Sequence, residues 1–214
     1  MEITYIGHSS FKLRGKSGTL VSDPFNPASL GSKFPKVEAD VVTISHGHDD
    51  HNYSGGVSGS PLIIAGPGEY EVKGIKIIGV PSFHDNENGK ERGENTIYRI
   101  EIDGISVVHL GDLGHKLDDK SLEILDGVDI LLIPVGGVYT ISAPIAAEVI
   151  SQLEPKIVLP MHYNTKLHNQ KIFSNLSGVD VFLKEMGKED TKPIPKLSVT
   201  KDRLPTELTV VVLE

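Results

Sequence analysis

Three imidazoles and two carboxylates fall within six consecutive residues, His46-Gly47-His48-Asp49-Asp50-His51, directly after the apolar run Val41-Val42-Thr43-Ile44. The run is short and rich in β-branched residues, so it reads as a buried strand that ends in a polar loop. In an extended segment His46 and His48 project to one side, because side chains alternate with period two, and together they can grip one cation as a pincer. Asp50 and His51 are adjacent and would diverge in a strand. If the chain turns there, between Gly47 and Gly55-Gly56, they can face a second cation close by. Neutral imidazole with carboxylate suits zinc, manganese or iron. Histidine accounts for 9 of 214 residues, so three in six positions stands far above its background and outweighs a chance run of surface histidines.

The rest of the composition excludes more than it assigns. A length of 214 residues fits one domain, 1–214, with enough chain to bury a substantial core. With 21 basic and 29 acidic residues the net charge is −8, and the local Lys90-Glu91-Arg92 is interrupted by acid, so no nucleic-acid surface is evident. No apolar run is long enough to span a membrane, and no basic-then-apolar leader follows Met1. The absence of cysteine rules out thiolate ligands and is compatible with a reducing compartment, so a cytoplasmic location is expected.

Glycine and proline punctuate the chain into short segments. Ile3–Ile6, Phe11–Arg14, Thr19–Ser22, Val41–Ile44, Leu62–Ala65, Glu69–Lys73 and Ile75–Val80 read as strands, with Gly74 as a turn. Thr96–Ile102 alternates apolar and polar residues, and Asp103-Gly104 signals a hairpin into Ile105–Leu110. The pattern then becomes strand–helix alternation. Helices are expected over Asp118–Leu125, Pro144–Leu153 and Asn169–Leu176, and strands over Asp129–Val135, Lys156–Leu159 and Val179–Leu183. A polar tail with three prolines, Lys188 to Pro205, precedes the apolar Leu208–Leu213.

Three later residues share the context of the histidine loop, a polar ligand just after an apolar strand: His84, Asp112 and His162. Seven protein ligands in all would support two cations with one bridging carboxylate. Singly, each reads as readily as a surface or turn residue; their order together with the loop is what raises them.

That order, H-x-H-x-D-H, then His84, Gly111-Asp112 and Pro160-Met161-His162-Tyr163, resembles the metallo-β-lactamase fold superfamily. Tyr5-Ile6-Gly7-His8-Ser9-Ser10-Phe11, Asp23-Pro24 and Pro134-Val135-Gly136-Gly137 look like its branch of predicted Zn-dependent hydrolases, the one that includes ascorbate-6-phosphate lactonase. The resemblance reaches to about Asn169. It implies an α/β fold, a four-layer αββα sandwich of two mixed β-sheets flanked by helices, with the site at one sheet edge. It also implies His46, His48 and His84 on one metal, Asp50, His51 and His162 on the other, and Asp112 bridging, with Asp50 and Asp112 in catalytic roles. His109 or His115 could replace His84.

Around these, His8, His115, Tyr139 and Tyr163 are candidates for substrate binding; His8 reads equally as a hairpin histidine packed on Phe11. Asp23 is either a hydrogen-bond partner of a ligand histidine or a turn former. His109 reads as a buried, hydrogen-bonded histidine and His168 as a surface residue.

The activity expected is hydrolysis. Two divalent ions, zinc first and manganese or iron as alternatives, lower the pKa of a bound water from about 15.7 towards about 7, which supplies hydroxide at neutral pH. The electrophile would be an ester, lactone or phosphodiester of a small polar molecule. Two alternatives stand beside it: a mononuclear iron oxidoreductase of persulfide-dioxygenase type, and a metal-bound protein without turnover. The partner expected is a small-molecule substrate, with homo-oligomerisation possible.

Overall fold

The computed structural model describes every residue from Met1 to Glu214. Strands β1 (Glu2–Gly7), β2 (Ser10–Arg14) and β3 (Thr19–Ser22) form an antiparallel meander. The one-turn helix α1 (Pro27–Leu30) follows, opened by the Asn26 side chain, which accepts from the Ala28 N–H, and closed by Gly31. Next come β4 (Val37–Glu38), β5 (Val41–Thr43), the histidine loop, β6 (Val57–Ser58) and β7 (Leu62–Ile64). Strands β3, β5 and β7 pair in parallel, while β4 and β6 form a separate small ribbon.

The chain then folds back on itself as β8 (Gly68–Val72), β9 (Ile75–Phe83), β10 (Glu94–Ile102) and β11 (Ile105–His109), antiparallel throughout. The turns at Lys73-Gly74 and Asp103-Gly104 hold both residues at positive φ, as two-residue hairpins demand. Alternation follows: α2 (Asp119–Leu125), β12 (Ile130–Pro134), α3 (Ala143–Leu153), β13 (Ile157–Met161), α4 (Gln170–Phe173) and α5 (Val179–Glu185). The tail adds β14 (Leu197–Ser198) to the first sheet and β15 (Thr209–Val210) to the second.

Two mixed sheets result, ordered β14-β1-β2-β3-β5-β7 and β15-β13-β12-β11-β10-β9-β8. The continuous apolar strands explain how they stack. In β12, Ile130 and Leu132 face the first sheet, joining Ile3, Phe11, Leu13, Leu20 and Val41 in the inter-sheet core. Leu131 and Ile133 face the other way, onto Ala146, Val149 and Ile150 of α3 and Phe182 of α5. A strand buried on both faces needs no polar alternation, which is why its sequence shows none. On the outer face of the first sheet, Val21 and Val42 are covered by Val37 and Val57 of the β4–β6 ribbon. Beside it, α1 and α4 contribute Leu30 and Phe173 to a small separate cluster. The molecule is therefore the expected αββα sandwich, with the layer over its first sheet reduced to a ribbon and single-turn helices.

One element differs in type. Val179–Leu183, expected as a strand, is helix α5. Its two β-branched valines favour a strand, but Val179, Phe182 and Leu183 lie at i, i+3 and i+4, and these are the residues that pack on the helical core. The helix over Asn169–Leu176 is shorter than expected, a single turn. No helix of the chain is long and apolar enough to cross a membrane.

Strand direction positions the site. Strands β9, β11, β12 and β13 run the same way, so the loops after them open at one edge of the second sheet. The loops after β1, β3 and β5 open at one edge of the first. The two edges meet where the His162 N–H donates to the His8 carbonyl at 2.9 Å.

Candidate metal centre

Each side chain of the putting-together arrives on one of those loops: His8 after β1, Asp23 after β3, His46 to His51 after β5, His84 after β9, Asp112 after β11 and His162 after β13. Local backbone is held in unusual conformations to do it. His8, Asp23 and His162 are non-glycine residues at φ 56°, 40° and 53°. Such left-handed residues cost about 1–3 kcal/mol each and persist where surrounding structure over-determines them. Gly111 is at φ 57°, and a β-carbon there would run into the Asn95 side chain and Ser45. Asn95 in turn accepts the Asp112 N–H at 3.0 Å and donates to the Leu110 carbonyl at 3.0 Å, fixing where Asp112 stands.

The Asp112 carboxylate is the centre of the arrangement. Its Oδ2 lies 3.1 Å from His162 Nε2, 3.2 Å from both His51 Nε2 and His84 Nε2, and 3.8 Å from His46 Nε2. The His46 ring stands 4.6 Å from that of His48 and 4.7 Å from that of His84, centroid to centroid. The donor atoms of His46, His48 and His84 lie within 4.8 Å of one another. So do those of Asp50, His51 and His162 together with His8, and those of His46, His51 and Asp112. The seven residues that the sequence singled out thus converge in two clusters, joined by the third group of His46, His51 and Asp112.

The residues present fit divalent cations. Asp112 Oδ1, His46 Nε2 and His51 Nε2 are buried with no hydrogen-bond partner. Leaving such groups unmet is costly, and a cation would satisfy all of them. The opposite nitrogens are occupied. His51 Nδ1 donates to Asp23 Oδ2 at 2.8 Å, and His46 Nδ1 meets Ser45 Oγ at 2.9 Å, which itself donates to Asp23 Oδ2 at 2.6 Å. A hydrogen bond at Nδ1 fixes the tautomer that leaves Nε2 free as a ligand. Asp23 therefore bonds His51 directly and His46 through Ser45, rather than serving only as a turn former.

Burial, with His51 nearby, pushes His46 down to about 3, so its lone pair is free at neutral pH. Burial would raise Asp112, but His162 and His51 outweigh it and hold the carboxylate well below its usual range. Burial would likewise lower His51, yet Asp112 and Asp50 push it well up.

The residues considered for substrate divide sharply. Tyr139 lines a cavity of about 320 Å³ over the cluster, with Ser29, His48, Asp50, His84, Arg92, Asp112, His162, Ile172 and Phe173. His8 does not line it. His8 is fully buried, with its Nε2 3.2 Å from Asp50 Oδ2, so it meets a carboxylate of the cluster rather than solvent. His115 lies behind the His84 loop, its Nε2 accepting from the Phe83 N–H at 3.1 Å and its Nδ1 donating to the Lys116 carbonyl at 2.7 Å. Tyr163 borders a different cavity, of about 520 Å³, beside Tyr5. His109 is buried, with Nε2 2.8 Å from the Ser9 carbonyl and Nδ1 accepting from the Gly111 N–H, as a structural histidine should be. His168, expected at the surface, is only 5 % exposed and packs edge-on against His8. The one-turn helix α4 folds Phe173 over both, a tertiary contact with no local signal.

Beside Ser45 and Asn95, two residues of the loop after His84 escaped the sequence reading, Asp85 and Arg92. Asp85, next to His84, accepts from the N–H groups of Glu87, Gly89, Glu91 and Arg92 at 2.8–2.9 Å. Burial would raise it, but those four donors hold it at about 2. It organises the whole loop from His84 to Arg92, and Arg92 lines the cavity. An Asp in a polar, glycine-containing loop was the available sign.

Comparison with known proteins gives the family. Residues 2–162 match the family described as the Beta-lactamase superfamily domain. A UPF0173 metal-dependent hydrolase of Thermococcus onnurineus is 34% identical over 195 residues, covering 77% of this chain and 85% of the relative. Another from Pelotomaculum thermopropionicum is 31% identical over 202 residues, with the same coverage of 77% and 85%. A crystal structure of a metallo-β-lactamase superfamily protein from Thermotoga maritima superposes with a TM-score of 0.81 at 41% identity, covering 100% of this chain and 98% of that one. Fold and kinship coincide, and the chain belongs to the metallo-β-lactamase superfamily.

Proposed function

We propose that the protein is a hydrolase with a dinuclear metal centre, acting on an ester, lactone or phosphodiester of a small polar molecule. The observation that carries this reading is the ring of four imidazole nitrogens 3.1–3.8 Å from Asp112 Oδ2, delivered by three separate loops around that carboxylate. The relatives named as metal-dependent hydrolases support the reaction class.

His46, His48 and His84 would hold one cation, Asp50, His51 and His162 the other, with Asp112 between them. When bound, divalent cations supply Lewis acidity and make a water acidic near neutral pH. The chain's own contribution is to hold and orient. Asp23 and Ser45 fix the rings of His51 and His46, and Asn95 fixes the backbone of Asp112. His8 steadies the Asp50 carboxylate, which His51 and the His8 hydrogen bond keep ionised despite burial. Phe173 and Ile172 line the cavity with apolar surface that limits water around the reacting bond.

The test is metal analysis of protein purified without added metal, followed by zinc or manganese loading and a panel of 4-nitrophenyl esters, lactones and bis(4-nitrophenyl) phosphate. About two equivalents of divalent metal and metal-dependent hydrolysis of one class are expected. A single tightly held iron with no hydrolysis of any class would sink the reading and favour oxidoreductase chemistry.

A further inference from the structure

Beyond the metal cluster, the cavity over it contains a single basic side chain, Arg92. Its surroundings do not account for it. The guanidinium makes one side-chain hydrogen bond, from Nη1 to Glu91 Oε2 at 3.2 Å, and that carboxylate is itself 58% exposed. An exposed pair of this kind contributes little. A guanidinium has five N–H donors in a fixed fork, so most of this one's capacity is unused by the protein. It is nevertheless not a free surface chain: it is 33% exposed and lies over the Tyr139 ring, 6.0 Å from the centroid. Its backbone N–H is tied at 2.8 Å to Asp85, whose neighbour is His84. The same loop therefore places a cluster histidine and a cationic fork at the mouth of one cavity.

The electrostatics sharpen the point. A fixed guanidinium beside a site for cations adds positive charge to positive charge. That arrangement is favourable once an anion lies between them, and a fork of N–H donors matches a carboxylate or phosphate bidentately. The lining also includes the apolar Ile172 and Phe173. We propose that Arg92 is the specificity-determining residue of this site, selecting substrates that carry a carboxylate or phosphate group near the scissile bond. This deepens the hydrolase reading and rests on it for the word substrate, though not for anion binding itself.

The test uses Arg92→Gln and Arg92→Lys in the full chain. Glutamine keeps the backbone N–H that Asp85 accepts, so the His84 loop and the metal content should be unchanged. Two probes are compared on zinc-loaded protein: the neutral ester 4-nitrophenyl acetate and its anionic counterpart, mono(4-nitrophenyl) succinate. In Arg92→Gln, kcat/KM for the anionic ester should fall about tenfold or more, through KM, and by a much larger factor than for the neutral ester. Arg92→Lys should restore part of the loss, because it returns the charge without the fork. Equal losses on both esters, or none on the anionic one, would overturn the assignment.

A second measurement separates this proposal from the hydrolase reading. Succinate is titrated calorimetrically into wild-type and Arg92→Gln protein, and binding about tenfold weaker in the variant is expected. If no ester is turned over but that difference holds, the hydrolase reading fails and the anion site stands. If esters are hydrolysed but succinate binds both proteins equally, or neither, the Arg92 assignment fails alone.

Discussion

Asp112 and Asp129 are the same residue type at opposite edges of one sheet, each only 2% exposed, and their surroundings could hardly differ more. Asp129 immediately precedes β12 and is saturated: Oδ2 accepts from the Ser106 N–H at 3.0 Å and from Lys201 Nζ at 2.6 Å, and Oδ1 from Lys156 Nζ at 3.2 Å. Asp112 lies beyond the end of β11, with Oδ1 unpartnered and Oδ2 facing imidazole nitrogens instead of ammonium groups. A buried carboxylate with its charge neutralised by lysine is a joint. One ringed by imidazole nitrogens, with an oxygen left unmet, is a candidate cation site. Position in the fold does not distinguish them; the donors around each do.

Charge removal should expose the contrast most strongly at Asp112. Asp112→Asn keeps the size but not the charge that, in the proposed centre, would let two divalent ions share one pocket. Loss of the dinuclear state, read by metal analysis, and hydrolysis at background are expected. Two retained metals with wild-type turnover would erase the distinction drawn between the two aspartates.

Asp23 tests whether the support beneath the cluster matters. It touches no metal position directly but accepts from His51 Nδ1 and Ser45 Oγ. Asp23→Asn can no longer enforce the tautomer on His51, so metal affinity measured by competition with a chelator should fall about 10–100-fold. An unchanged affinity would show that the ring orientations are set by packing alone.

At the other edge, Asp129→Asn should leave metal content and turnover intact and lower the stability of the metal-free protein by about 1–2 kcal/mol in urea denaturation. That figure is discounted because Lys156 and Lys201 are 44% and 56% exposed and solvent-screened. Loss of metal in this variant would mean that the two edges are coupled.

The smallest effect is its pH dependence. Burial would raise Asp129, but the Lys201 hydrogen bond and the Ser106 N–H hold it below the usual carboxylate range. A depressed native value stabilises the fold above the unfolded value of about 3.9, and that contribution is lost as pH falls through the native one. The stability gap between wild type and Asp129→Asn should be full near neutrality and close below about pH 4. A gap that widens in acid would contradict the ion pairing.

The sequence by itself determined the chemistry of the centre and the order of its parts. His46 to His51, His84, Asp112 and His162 each follow an apolar strand, and that signal is local: residue type, β-branching and period are written along the chain. The hairpin at Asp103-Gly104 was legible for the same reason, since its positive φ values are a property of two residues. What tertiary structure decided is everything that depends on what lies across a gap. Only packing on α3 made Val179–Glu185 a helix, because its apolar spacing fits either element until a partner surface selects one. Only the meeting of β1 with β13 placed His8 behind Asp50 instead of in the cavity, buried His168 against it and turned Tyr163 toward another cavity. The strand ends announced which residues could bind a metal. The direction each ring faces, and the guanidinium of Arg92 left waiting beside them, come from contacts between segments far apart in sequence, which no local pattern encodes.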